Sequence, residues 1–416
     1  MSDVIEPHLR KIRNRGIRVI TNAGGLNPVG MKALIEEFAR EKGIEVRVAC
    51  VTGDDILSHT KLLPKNLSGT VLNANVYLGA TAIVEALKLE ADIVIVGQTV
   101  DTALTLAPLV FEFGWSWKDY DKLSQASLAG HILECGTQAT GGNFTDWEMV
   151  PQRENVGFPL IHFSEDTSFV VTKPEYTGGV VSPASVAEQI TYETADPKSY
   201  VLPDVVCDWS DVKLELLYEN RVLVTGGRGS APATTYKAIA TFQDGYKISA
   251  NAFIAGGDAK SKGYSVGESI LGRARGFNSE KGYVPFTETL IEVLGGDEEA
   301  LLRISASHSD IEPLETLSKE VAPAATSLAP GLTNLLGGRA QAIPRIATSA
   351  FLVEKDLISI RVIAGSEMHD IVVPAGIRSN AGESIEQTPR DVHAPVKVRG
   401  RHKLSELAVA RSDQIE

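Results

Sequence analysis

The sequence predicts an α/β protein with a doubly wound, mostly parallel sheet, joined to a second domain of α+β character. Three observations lead there. Strand and helix signals alternate over residues 1–145, the strands among them are apolar throughout, and from residue 146 short β-rich runs between Gly and Pro turns replace that rhythm. Strands so apolar belong inside a parallel sheet with helices on both faces, joined by right-handed crossovers.

The elements follow in order. Residues 17–21 (IRVIT) form an apolar run that breaks into Asn22, Ala23, Gly24, Gly25, Leu26, Asn27 and Pro28. Residues 29–42 then set Met31, Leu34, Ile35 and Phe38 at helical spacing. Asn27 suits the helix cap and Pro28 the first helical position, where no N–H is needed. Gly43 ends that helix, and residues 45–51 (EVRVACV) supply the next strand. A second unit repeats the pattern: helix over 80–89, buried strand over 92–96 (DIVIV), helix over 102–112. The result is Rossmann-like, with ligand loops at the strand carboxyl ends, residues 22–27, 52–55 and 97–101. In the second domain we expect strands at 169–172, 222–225, 237–242 and 247–253, helices near 265–273 and 287–294, and a last core strand within 349–364. The expected boundaries are 1–145, 146–368 and an extended tail over 369–416.

Composition narrows the classes of function. The 416 residues are 43% hydrophobic and 22% charged, which suits a folded core and excludes disordered or collagen-like architectures. No apolar run approaches the roughly 20 residues of a membrane span, and the N-terminus has no signal-peptide core, so a soluble cytoplasmic protein with no membrane partner is expected. Cys50, Cys135 and Cys207 are odd in number and never paired as CxxC, against a disulfide framework or zinc site. The net charge of −13 makes nucleic acid a poor partner. A homo-oligomer is expected on general grounds.

Candidate chemistry lies in several loops. Gly24 and Gly25, flanked by Asn22 and Asn27, would let amides and a helix dipole approach a carboxylate or phosphate, or they simply make a tight turn. GxGxxG is absent, and Lys32 follows Met31, so the Walker pattern fails. Asp54 and Asp55 suit a ribose hydroxyl or a cap. Asp101, beyond the third strand, is a helix cap or a general base. Residues 128–144 (LAGHILECGTQATGGNF) are the densest segment. On a helix His131 and Cys135 are neighbours at i and i+4, and a bond between them would make the thiol a nucleophile or acid/base; a buried structural cysteine is the competing reading. Glu134 is a rival acid/base. Gly136 would end the helix, and the Gly141 and Gly142 amides could face an oxyanion. A metal site lacks a further ligand and is not expected. Arg228, among Gly226, Gly227 and Gly229, offers a fork to an anion or is a solvated hairpin residue.

Six ordered blocks, at residues 22–28, 79–108, 130–144, 164–179, 202–212 and 226–237, resemble the acyclic terpene utilisation (AtuA) family, long catalogued as a domain of unknown function. The resemblance runs over residues 15–365. It implies bacterial catabolism of citronellol and geraniol, in which the acid is activated as a coenzyme A thioester, carboxylated, hydrated and cleaved. It implies a branched carboxylate or acyl-CoA substrate and carries over no catalytic residues. Many relatives continue into a ferredoxin-like domain opening with a segment like residues 403–412; we expect that domain to be lacking here, with a separate subunit to supply it.

The leading expectation is an enzyme that moves a proton next to a carbonyl of an acyl-CoA or small branched carboxylate, as a hydratase or carbon–carbon lyase. The base, enolate stabiliser and anion clamp would come from Asp101, Glu134 or Cys135, from Gly141 and Gly142, and from Gly24, Gly25 and Arg228. No cofactor is required, coenzyme A entering as part of the substrate. The alternatives are a non-catalytic CoA-ester or nucleotide-binding subunit of a larger complex and, from the first βαβ unit and Asp54, an NAD(P)-dependent oxidoreductase.

Overall fold

A computed structural model describes residues 4–67, 69–333 and 338–377. Most of the expected tail, and the segment 403–412, lie outside the described residues. The three apolar runs near the N-terminus are strands, Val19–Thr21, Val48–Thr52 and Ile93–Val96, and they are parallel in the order first, third, second. All four residues of Ile93–Val96 are buried, as its composition requires. Asn27 caps the helix Pro28–Glu41 by accepting from the Gly30 amide at 2.8 Å. That helix packs Ile35 and Ala39 against Cys50, Ile93 and Ile95.

The parallel strands do not continue into a complete doubly wound sheet. The next neighbours are Ile360–Ala364, antiparallel to Val48–Thr52, and Glu367–Ile371, antiparallel in turn. The architecture is mixed α/β, with several sheets, one of which carries three parallel strands from one edge inward. The expected last strand of the second domain thus divides in two, and its final part, with buried Ile360 and Val362, joins the first sheet. An apolar β run has no preferred partner in the sequence; the partner is fixed only by long-range packing.

Packing divides the chain at places other than the expected boundaries. One compact unit comprises the chain up to Ser58, Asn75–Ala238 and the chain from Ala350 on; the other comprises His59–Ala74 and Ile239–Ser349. The first unit also holds a four-stranded antiparallel sheet, including Phe169–Thr172 and Arg221–Thr225, and a three-stranded sheet of Arg228–Ser230, Val206–Asp208 and Tyr200–Val201.

In the second unit the strand Thr235–Ala255, which begins in the first unit, is followed by helix Ala259–Glu280, strands Glu288–Gly295 and Glu299–His308, helix Glu312–Ser327 and strand Leu332–Thr333. The sheet order places the fourth strand beside the first, then the third, then the second, all antiparallel. This βαββαβ arrangement is ferredoxin-like. Its core joins Ile248, Ile254, Leu302 and Ile304 to Val266, Ile270 and Leu317 of the helices. Two expectations fail here. Residues 287–294 are not a helix: Ile291 and Val293 point inward in alternation and pair with Ile304 and Leu302. The runs 237–242 and 247–253 are one strand, and Gly245 within it adopts φ +72° and lies so close to the His308 carbonyl that a Cβ would collide, so the glycine there is not a turn between two strands.

Candidate functional site

The site is built within the first unit at the carboxyl ends of the parallel strands. Asp54, just past Val48–Thr52, is buried and accepts from the Gln98 amide at 2.8 Å and from Asn75 Nδ2 at 3.0 Å. It ties the loop after Ile93–Val96 in place, at a glycine, Gly97, where a Cβ would strike the carboxylate. Burial pushes the Asp54 carboxyl above its ordinary range. Asp54 is therefore a fastening between loops, with its Oδ2 engaged twice where a ribose or a cap was expected, and Asp55 accepts from the Leu57 amide at 2.9 Å.

Asp101 stands at the end of the loop that Asp54 fastens, immediately before Thr102 and the helix Ala103–Phe113. Its side chain is not a cap. It accepts from Asn22 Nδ2 at 2.6 Å, which joins the first and third strand loops, and it is solvent-exposed.

The helix Tyr120–Leu133 comes to this point because Gly130 lies against the Thr102 backbone; a Cβ there would sit 2.8 Å from the Thr102 Cα and carbonyl oxygen. The next residue, His131, is completely buried, and its Nδ1 is 2.8 Å from Glu134 Oε1. The helix ends at Leu133 with Glu134 at its C-cap, so Cys135 lies beyond it and the expected His131–Cys135 pairing is replaced by His131–Glu134. The spacing allows both, and a carboxyl group is the stronger partner for an imidazole.

An aromatic wall stands beside the pair. Tyr200 and Trp209 stack with centroids 4.6 Å apart, and the His131 ring lies 5.2 Å from Trp209 and 5.5 Å from Tyr200. Gln189, on helix Pro183–Thr191, donates to the His131 carbonyl at 2.8 Å and also bonds the Cys135 thiol. His131 Nε2, Trp209 Nε1 and Gln189 Oε1 are buried without a partner among the described residues.

The electrostatics follow from this packing. Burial raises the Glu134 carboxyl above the ordinary value of 4.5; the His131 bond opposes the rise, and the charges of Asp101 and Glu193 add to it. Burial likewise raises the Cys135 thiol, opposed by the Gln189 bond and reinforced by Glu134, Glu193 and Asp101. The shift of Cys135 runs opposite to the lowering that a nucleophilic thiol needs, and favours the competing structural reading. Tyr200 and Tyr77 are raised by burial first and by the Asp101 charge among the rest. The other two thiols are buried and inert, Cys50 pushed up to about 11 and Cys207 to about 12.

The expected anion cradles have their amides engaged elsewhere. Gly24 donates to the Val96 carbonyl at 3.1 Å and Gly25 to Asn22 at 3.4 Å, and Gly24 has no space for a Cβ beside Val96, Pro28 and Ile95. That pair makes a tight turn. Gly141 and Gly142 donate to the Gln138 and Thr137 carbonyls at 3.1 and 2.8 Å, closing a turn. Arg228 is exposed and pairs with Asp211 at 3.6 Å, while the Gly227 and Gly229 amides donate to Gln125 and Asp121 of helix Tyr120–Leu133. The structure brings together Asn22, Asp101, His131, Glu134 and Cys135, and gives Gly24, Gly25, Asn27, Gly141, Gly142 and Arg228 structural partners instead. Tyr77, Gln189, Tyr200 and Trp209 were missed. Tyr200 and Trp209 reach the site through the pairing of Tyr200 with Cys207, and the only sequence signal was Trp209 inside the block 202–212.

Among the described residues no group of three or more His, Cys, Asp or Glu could hold a metal ion, and no helix is long and apolar enough to cross a membrane. The family model for "Acyclic terpene utilisation family protein AtuA" matches residues 1–364. No curated protein matches the chain.

Proposed function

The chain belongs to the acyclic terpene utilisation family AtuA, and on that premise we propose that it is an enzyme acting on a branched acyl-CoA or small branched carboxylate as a hydratase or carbon–carbon lyase. The observation that carries this reading is the pair of carboxyl groups in one field, Asp101 exposed and fixed by Asn22, Glu134 nearly buried and bonded to His131. Glu134, raised by burial, suits the acid, and the exposed carboxylate of Asp101 suits the base.

In the hydration direction Asp101 takes a proton from water as the hydroxyl adds to the β-carbon, and Glu134 gives its proton to the α-carbon. Run backwards, the same pair eliminates water. For carbon–carbon cleavage the base takes the β-hydroxyl proton, the Cα–Cβ bond breaks, and Glu134 protonates the resulting enolate. Tyr200 and Trp209 give the branched chain an apolar wall. Coenzyme A would enter as part of the substrate. The oxidoreductase alternative depended on Asp54, whose carboxylate is engaged by Gln98 and Asn75.

Incubation with a panel of branched enoyl-CoA and hydroxyacyl-CoA esters tests the proposal. Turnover is expected, with kcat falling about 10²–10⁴-fold in Glu134→Gln and in Asp101→Asn. No turnover by folded protein across the panel overturns it and leaves a non-catalytic CoA-ester-binding subunit as the reading to pursue.

A further inference from the structure

The site's charge decides between the two substrate classes just named. Asp101 and Glu134 lie at its centre, and Glu193, exposed, is close enough for its charge to act on both Glu134 and Cys135. Apart from His131, whose bond and charge act on Glu134, the remaining polar groups are neutral: Asn22, Gln189, and the hydroxyls of Tyr77 and Tyr200. None of the hydrogen bonds or charge interactions given above for Asp101, Glu134 and Cys135 comes from a lysine or arginine. The cation expected to clamp an anion, Arg228, is engaged by Asp211, and Lys32 by Glu36 at 2.8 Å. One exposed cation, Lys237, stands 5.6 Å from the centre of the Tyr77 ring and has no ion pair among the described residues.

We propose that the group admitted between Asp101 and Glu134 is an uncharged acyl group, a thioester carbonyl rather than a free carboxylate, with any anionic handle left outside near Lys237. This rests on the reading of the same residues as the reacting site. A carboxylate placed beside a protonated Glu134 still meets the like charges of Asp101 and Glu193, with no lysine or arginine among the interactions given above to compensate, which weakens its binding at least about tenfold relative to a neutral isostere. The buried Trp209 Nε1 donor and the unpartnered His131 Nε2 lack what a neutral carbonyl oxygen supplies, a lone pair that brings no net charge. His131 Nε2 carries the proton in the tautomer whose Nδ1 accepts from Glu134.

The test is isothermal titration calorimetry with three probes sharing one branched five-carbon skeleton: senecioamide, senecioate and prenylammonium. At neutral pH the amide is expected to bind at least about tenfold more tightly than the carboxylate and no more weakly than the ammonium. Asp101→Asn and, independently, the surface change Glu193→Gln should each narrow the gap between amide and carboxylate. Carboxylate binding as tight as the amide, or tightest binding of the ammonium, overturns the proposal while leaving the site itself in place. Binding of none of the three, or affinities that neither variant changes, removes the site along with the proposal.

Discussion

At the scale of the residue, the pairing of His131 with Glu134 makes activity depend on pH in a stated direction. If Glu134 delivers the proton, kcat/KM is highest where the carboxyl is protonated and falls as pH rises through its raised value. The Glu193 charge favours the protonated form, so Glu193→Gln should move that falling limb to lower pH, by on the order of a few tenths of a unit. A limb that stays or moves upward in the pH profile excludes Glu134 as the acid. The same shift bears on stability. A carboxyl raised in the folded state contributes stability that is complete below its unfolded value, near 4, and lost as pH rises through the folded one. Asn22, Asp101, His131 and Glu134 were legible because strand ends and helical spacing point at them. The choice of Glu134 over Cys135 was not, since i+3 and i+4 share a face and only the end of the helix at Leu133 separates them.

At the scale of the element, Gly130 sets how near the helix Tyr120–Leu133 comes to Asp101. Gly130→Ala would force a methyl into the Thr102 backbone, where no flexible side chain can yield. The expected cost is about 1–3 kcal/mol in chemical denaturation, with a loss of kcat larger than the change in stability explains, because the helix moves away from Asp101. Unchanged stability and activity would show that the helix has slack at this contact. The parallel strands and their helices were readable from local signals alone: apolar runs, Asn27 before Pro28, and glycines at helix ends. Residues 287–294 were not, because Leu290, Ile291, Val293 and Leu294 satisfy a helical and an alternating pattern equally, and only the neighbouring strand Glu299–His308 selects between them. The wall of Tyr200 and Trp209 was equally hidden, since antiparallel pairing and a loop bring it to a histidine some way back along the chain.

At the scale of the whole molecule, the ferredoxin-like unit has a core of its own, and the catalytic candidates all lie in the other unit. Leu302→Ala in that core should lower its stability by about 2–5 kcal/mol. Scanning calorimetry is expected to resolve two transitions, one moved by this change and one unmoved. A single transition that shifts as a whole would mean the two units unfold together. The acidic balance of 53 Asp and Glu against 40 Lys and Arg, read from composition as unfavourable to nucleic acid, also has a local counterpart in the carboxylates around Glu134. The strand Thr235–Ala255 adds a constraint on how such a chain can change over evolutionary time. Its side chains keep strict alternation from Ile248 to Ile254, with every second residue buried. A substitution on its exposed face changes one side chain, but adding or deleting a single residue would turn one half inside out relative to the other. Descendants of this sequence are therefore held to the count of that strand more firmly than to the letters on its exposed face.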